Sequence, residues 1–179
     1  MRIIAGKHKG RILASFEADN IRPTSDRVKE AIFSKIQFVL PNLTVLDLFG
    51  GTGNFGFEAL SRGAKKVYIC DNNEKSIAII NKNNKALNEN AIVVKNDFHK
   101  TLKNFEGLKF DLVFLDPPYM QNYGEQALAL ILQYNLLTED GMVIYEHSKG
   151  KQFDFSGFDM FDQKTYGTMQ VSFLRLKND

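Results

Sequence analysis

Cysteine and histidine are scarce in this 179-residue sequence, which contains one and three of them. The single cysteine, Cys70, sits in the apolar run Val67–Cys70 and reads as a buried, reduced thiol, so a disulfide framework is excluded and no metal-ligand cluster is expected. His8, His99 and His147 fall in three distant segments and form no hydride-transfer constellation. The first residues, MRIIAGKHKGR, lack a hydrophobic signal core, and no apolar run approaches membrane-spanning length. A cytoplasmic protein without a membrane partner is therefore expected. Internal repeats, low-complexity tracts and linkers are also missing, which suggests a single domain over 1–179, with 1–40 as an extension and 41–179 as the core. A monomer is expected.

Charge of one sign is missing overall, because the net charge is only +2. Its distribution is uneven. Residues 1–37 hold eight Lys/Arg against four acids, and the remainder fifteen against seventeen. A basic N-terminal segment on a slightly acidic body is what a phosphate-bearing partner would select. Arg2–Ala5 and Arg11–Leu13 read as a hairpin around the basic, glycine-flanked tip Gly6–Gly10, with Lys7, His8, Lys9 and Arg11 projecting outward. Turn and cap chemistry follows at Arg22-Pro23-Thr24-Ser25-Asp26, with Thr24 or Ser25 capping a helix that places Val28, Ala31, Ile32, Lys35 and Ile36 near one face, mostly apolar.

The chain is organised around Val45–Gly63, VLDLFGGTGNFGFEALSRG, which reads strand, glycine turn, helix. Gly51, Gly53 and Gly56 satisfy G-x-G-x-x-G, and Asp71 ends the next expected strand. That pattern alone fits a nicotinamide dinucleotide. Asp47 argues otherwise, because a carboxylate at the strand tip repels a pyrophosphate but suits the ammonium and sulfonium of S-adenosylmethionine. D-x-F-x-G-x-G thus resembles the first motif of Rossmann-like methyltransferases. The expected cofactor set is Asp47, Phe49, Gly50, Gly51, Thr52, Gly53, Asp71, Asn72, Asn96, Asp97 and Phe98. Asp71 would accept from the ribose hydroxyls and Asp97 from the adenine amino group, with Phe98 beside the ring.

Strand and helix alternate from Thr44 on. Strands are expected at 44–49, 66–71, 92–96, 110–116 and 142–147, and helices at 54–62, 74–88, 98–105 and 123–136, with a closing strand pair at 158–165 and 169–177. Short apolar strands between amphipathic helices imply an α/β fold with a parallel sheet covered on both faces. With an antiparallel last strand this is the seven-stranded, Rossmann-like arrangement of class I methyltransferases.

Asp116-Pro117-Pro118-Tyr119 follows the fourth major strand. Two prolines fix the backbone and remove two N–H donors, leaving a carbonyl that needs a partner. An exocyclic amino group offers two hydrogens, one for Asp116 and one for the Pro117 carbonyl, while Tyr119 stacks on the base. Asp116, Pro117 and Tyr119 are the expected catalytic residues, working mainly by positioning. Freeing a paired base costs a few kcal/mol, against roughly 1–3 kcal/mol from one stacked aromatic. An unpaired base in structured RNA is therefore the better substrate.

Together RPTSDRVKEAIF, DLFGGTGNFGFEALSRGA, DPPY and the late YGT resemble the RsmD-type ribosomal RNA methyltransferases, over nearly the whole chain. The resemblance implies methylation of guanine N2 in 16S ribosomal RNA, with a small-subunit particle as partner and S-adenosylmethionine as cofactor. It also implies RNA contacts by the hairpin, through Lys7, Lys9 and Arg11, and by Arg22, Thr24 and Arg27. Tyr166-Gly167-Thr168 is a compressed form of the family's Y-G-x-T, so Thr168 is assigned no contact. DPPY is shared with adenine-N6 methyltransferases acting on DNA or RNA, which stay open as an alternative. An RNA-binding module with a relic core is a third possibility, disfavoured by the intact acids.

Overall fold

The computed structural model describes residues 1–16, 23–118, 122–150 and 153–177. Apolar runs form the strands Thr44–Asp47 (β1), Lys66–Asp71 (β2), Ile92–Lys95 (β3), Phe110–Leu115 (β4) and Leu137–Ser148 (β5), joined by the helices Asn54–Ser61 (α2), Glu74–Leu87 (α3), Phe98–Asn104 (α4) and Tyr123–Gln133 (α5). Pro23–Ile36 (α1) precedes them, and Phe158–Tyr166 (β6) with Met169–Leu176 (β7) closes the chain.

These strands make one seven-stranded sheet in the order β3-β2-β1-β4-β5-β7-β6. β1 to β5 run parallel, and β7 pairs antiparallel with both β5 and β6. The Rossmann-like fold expected from the alternation is present. Because side chains alternate across a strand, Val45 points into the core beneath α1, α2 and α3, whereas Leu46 points into the core beneath α4 and α5. The strand order reverses between β1 and β4, and Asp47 lies opposite both Ile69 of β2 and Phe114 of β4. A crevice at that switch point is where an open α/β sheet takes its ligand.

Besides shifts of one or two residues at other ends, three boundaries depart from expectation. α1 opens at Pro23, whose fixed φ and missing N–H suit a first helical position, so Thr24 and Ser25 fall inside the first turn rather than at the cap. β5 starts at Leu137, five residues before the expected Met142, because an irregularity in its pairing with β4 between Phe110 and Leu112 absorbs the intervening residues. α5 stops at Gln133, and Asn135 then adopts φ 50°, a left-handed conformation that asparagine tolerates.

The N-terminal hairpin is present as the antiparallel bridge of Arg2 to Ile12. Its arms are joined by the Ile3 N–H to the Arg11 carbonyl at 2.9 Å, the Gly10 N–H to the Ile3 carbonyl at 2.9 Å and the Leu13 N–H to the Met1 carbonyl at 3.1 Å, and it is also held by its neighbours. Ile3 and Leu13 are buried, while Ile12 is 82% exposed. Ser61 at the end of α2 clamps the tip: its carbonyl accepts the Lys7 N–H at 2.8 Å and its hydroxyl oxygen the His8 N–H at 3.0 Å. A Cβ at Gly6, where φ is 82°, would fall 1.8 Å from that same carbonyl oxygen.

Candidate active site

The turn after β1 places backbone against backbone. Gly50 donates to the Cys70 carbonyl at 2.8 Å, and a Cβ at Gly50 would lie 2.4 Å from the Ile69 side chain. Gly53, at φ 81°, caps α2 without a side chain to offer. Asp47 supplies what Gly53 lacks, its Oδ2 accepting the Gly56 N–H at 2.9 Å inside the protein. Burial raises the Asp47 pKa from an ordinary 3.8 to about 7; the Gly56 hydrogen bond opposes this rise and the nearby Asp71 charge adds to it. Asp47 is 4% exposed and lines neither cavity described below, so in this structure its carboxylate serves the turn rather than presenting itself to a ligand.

Asp71 ends β2 and ties the turn to the next helix. Its Oδ2 accepts from the Gly51 N–H at 2.9 Å and its Oδ1 from the Asn73 N–H at 2.8 Å. Asn73 in turn caps α3 by accepting from the Lys75 N–H at 2.8 Å. These residues open onto a cavity of about 480 Å³, lined also by Leu48, Phe49, Asn72, Ser76, Asn96, Phe98, Asp116, Pro117, Pro118 and Tyr123. Phe49, Phe98 and Tyr123 form its aromatic wall, with Phe49 parallel to Tyr123 at 6.5 Å and Phe98 at 5.3 and 5.0 Å from them. Asn73, Ser76 and Tyr123 were not expected there; Tyr123 opens α5 on the far side of the DPPY turn, a proximity that only the fold creates.

Asp97 does not join them. Its carboxylate caps α4, Oδ1 accepting from the His99 N–H at 2.9 Å and facing His99 Nδ1 at 2.9 Å. Asp97, expected as an adenine contact, caps α4 through Oδ1 and does not line the cavity, whereas its neighbours Asn96 and Phe98 do.

Asp116 stands where two cavities meet. The second, of about 270 Å³, shares Phe49, Gly51 and Asp116 with the first and is completed by Thr52, Asn54 and Phe55, by Met1 and Phe16 of the N-terminal segment, and by Glu146 of β5. Desolvation in the floor of this cleft pushes the Asp116 pKa well above the carboxylate range, and the charges of Glu146 and Asp47 push it further. Glu146 was missed because it sits inside an apolar run, V-I-Y-E-H. The rule that picked out the acids at the tips of the other strands applies to it as well. Thr52 and Gly50 line this second cavity, and Pro117 the first. Tyr119 lies outside the described residues.

The basic N-terminal segment is partly committed to the protein itself. Lys7 Nζ and His8 Nε2 meet Glu89 at 2.7 and 2.6 Å, and Arg11 donates to the Ala86 carbonyl at 2.9 Å, near the C-terminus of α3. His8 therefore turns inward, contrary to expectation. Lys9 and Arg27 are exposed, Thr24 falls in the first turn of α1, and Arg22 lies outside the described residues.

Comparison with known proteins places this geometry. The family model described as "Conserved hypothetical protein 95" matches residues 1–175. The chain belongs to this family. Its similarity to a Bacillus subtilis protein named "Putative rRNA methyltransferase YlbH" is 37% identity over 96% of this chain and 97% of that one. The Haemophilus influenzae "Ribosomal RNA small subunit methyltransferase D" is 39% identical over 84% of this chain and 80% of its own length. Among solved structures, a putative methyltransferase from Escherichia coli, yhhF, superposes with a TM-score of 0.88 at 27% identity, covering 100% of this chain and 99% of its own. In this member of the Conserved hypothetical protein 95 family, two motif positions on which the sequence resemblance rests prove to be internal. Lys29 and Glu58, both 0% exposed, face each other at 3.2 Å. Lys29 also donates to the Arg2 carbonyl at 2.6 Å and to Asn54 at 2.8 Å. Glu58 accepts the Ile4 and Ala5 N–H groups at 2.8 and 3.1 Å and Arg62 Nε at 2.7 Å. The pair seats the N-terminal segment beside the second cavity.

Proposed function

We propose that the protein is an S-adenosylmethionine-dependent methyltransferase that modifies the exocyclic N2 amino group of a guanine in small-subunit ribosomal RNA. One observation carries this: two cavities of different character share a single acid, Asp116. The larger suits the cofactor in size, since ligand cavities run to roughly 300–1,000 Å³. At Gly51 a Cβ would meet no atom within 4 Å, so the turn leaves open space beside it. Asp71 offers a carboxylate for the ribose hydroxyls, and the wall of Phe49, Phe98 and Tyr123 suits the adenine ring. S-adenosylmethionine supplies an electrophilic methyl on a positively charged sulfur.

The chain's own residues supply position and a proton acceptor. A base entering the second cavity brings its amino group to Asp116, which accepts one N–H while the Pro117 carbonyl takes the other. This turns the nitrogen lone pair toward the first cavity. As the N–C bond forms and the S–C bond breaks, the amine becomes acidic, and Asp116, whose pKa is raised, accepts the departing proton. Most of the acceleration then comes from holding the nitrogen in line. The names of the relatives support ribosomal RNA as the substrate, and an unpaired guanine avoids the cost of extraction.

The test is direct. Calorimetry should show S-adenosylmethionine binding, weakened about tenfold or more in Asp71→Ala, whose loss frees two loop N–H groups. Mass spectrometry of ribosomal RNA from cells lacking the gene should show one missing N2-methylguanosine, restored by the wild-type gene. A missing N6-methyladenosine would favour the adenine alternative, and no binding would remove the enzyme.

A further inference from the structure

The second cavity is acidic. Its lining carries the carboxylates of Asp116 and Glu146, and among the described residues no lysine or arginine. Such a pocket repels phosphate and suits a ligand edge made of N–H donors. Glu146 reaches it from β5, a central strand bonded on both sides, opposite Val171 of β7, so the position of its backbone is fixed by the sheet.

Purine edges differ in donors. Guanine presents an N1–H beside its N2 amino group, three hydrogens in all, whereas adenine presents two on N6 beside an N1 that carries only a lone pair. Resting on the guanine-N2 reading above, we infer that Glu146 is the residue that selects guanine, accepting N1–H while Asp116 and the Pro117 carbonyl hold the amino group. With adenine in the same pose the N1 lone pair faces the Glu146 carboxylate, leaving a repulsive contact where guanine makes a charge-assisted hydrogen bond. Glu146 thus reads the ring nitrogen next to the reacting amine, and Asp116 handles the amine itself. A site built to receive an N–H discriminates strongly against an analogue lacking it.

2-Aminopurine probes the contact, because it keeps the N2 amino group and lacks the N1 hydrogen; it also lacks O6, and the Glu146 variants separate that loss from the N1 contact. Small-subunit RNA fragments carrying guanine or 2-aminopurine at the nucleotide that the wild-type enzyme methylates are compared by methyl-transfer kinetics. The wild type should prefer guanine by about a hundredfold in kcat/KM. Glu146→Gln, whose amide can donate to a bare N1, should lose activity on guanine and narrow the preference to within about tenfold, with S-adenosylmethionine affinity by calorimetry unchanged. Glu146→Asp, which keeps the carboxylate, should retain more of the preference than Glu146→Gln. Equal wild-type rates on the two bases, a result that needs no variant to fold, would overturn the assignment. So would a preference left intact in Glu146→Gln. Production of N6-methyladenosine by the wild type would instead overturn the reaction itself, and the role of Glu146 with it.

Discussion

The Asp47 carboxylate, at the end of β1, accepts the Gly56 N–H in the first turn of α2 at 2.9 Å. The bond links the strand tip to the helix across the glycine turn, and it holds an acid whose pKa burial has raised to about 7. In the unfolded chain Asp47 releases its proton near 3.8, so between that pH and about 7 the native state binds one proton more. Its contribution to stability is full below about pH 4 and is lost as the pH rises through about 7. Asp47→Asn keeps an oxygen for Gly56 and cannot ionise. Denaturant unfolding at pH 5 and pH 8 should show a decline in the wild type that the variant reduces, by ~3 kcal/mol at most, since the window from pH 5 to about 7 spans only about two pH units. Identical pH dependence in the two proteins would place the ionisation of Asp47 elsewhere.

Asp116 titrates in the same direction with a different consequence. Burial and the Glu146 and Asp47 charges hold its proton to a pH above the usual carboxylate range. Methyl transfer requires that carboxylate free to accept, so the rate should fall on acidification along a limb centred above the ordinary carboxylate value. Asp116→Asn should abolish the limb and lower kcat by about 10²–10⁴ while cofactor affinity changes little. A parallel loss of cofactor affinity would make Asp116 a structural residue.

Removing half of the Lys29–Glu58 pair should cost more than removing a surface ion pair. Burial lowers the Lys29 pKa, while the Glu58 charge beside it opposes the shift. Lys29→Met leaves Glu58 buried without its ammonium partner, and Glu58→Gln does the converse. Either should destabilise by ~3–5 kcal/mol. Hydrogen exchange should then show residues 1–13 losing protection before the sheet, because Glu58 holds the Ile4 and Ala5 amides. Uniform loss of protection would mean that the segment and the sheet open as one unit.

How much of this was visible in the sequence depended on distance along the chain. The periodicity of residues 44–147 located strands and helices within a few residues, because a parallel strand buried on both faces must be apolar throughout. The stripe Val28, Ile32, Ile36 in α1 was legible for the same reason. Lys29, one residue off that stripe, was not, since its burial depends on Glu58 arriving from another helix. Asp97 illustrates a different limit. A carboxylate after a strand and before a helix can cap, bind or do both, and the cap is seen only once His99 is placed beside it. Glu146 was hidden by its own strand, which runs on to Ser148 past the tips of its parallel neighbours.

The basic tip is the last place where fold and function can be separated. Lys7 is tied to Glu89 and Arg11 to the Ala86 carbonyl, whereas Lys9 is exposed at the turn. If the hairpin meets RNA phosphate, Lys9→Ala should weaken RNA binding at every sequence tested and lower the slope of log K against log salt by roughly one unit. Lys7→Ala should do less to the slope, because Glu89 already neutralises part of that charge, and its effect should grow when Glu89→Gln releases the ammonium. Filter binding across a salt series separates these outcomes. An unchanged slope in Lys9→Ala would leave the hairpin as packing, with the second cavity alone facing the RNA.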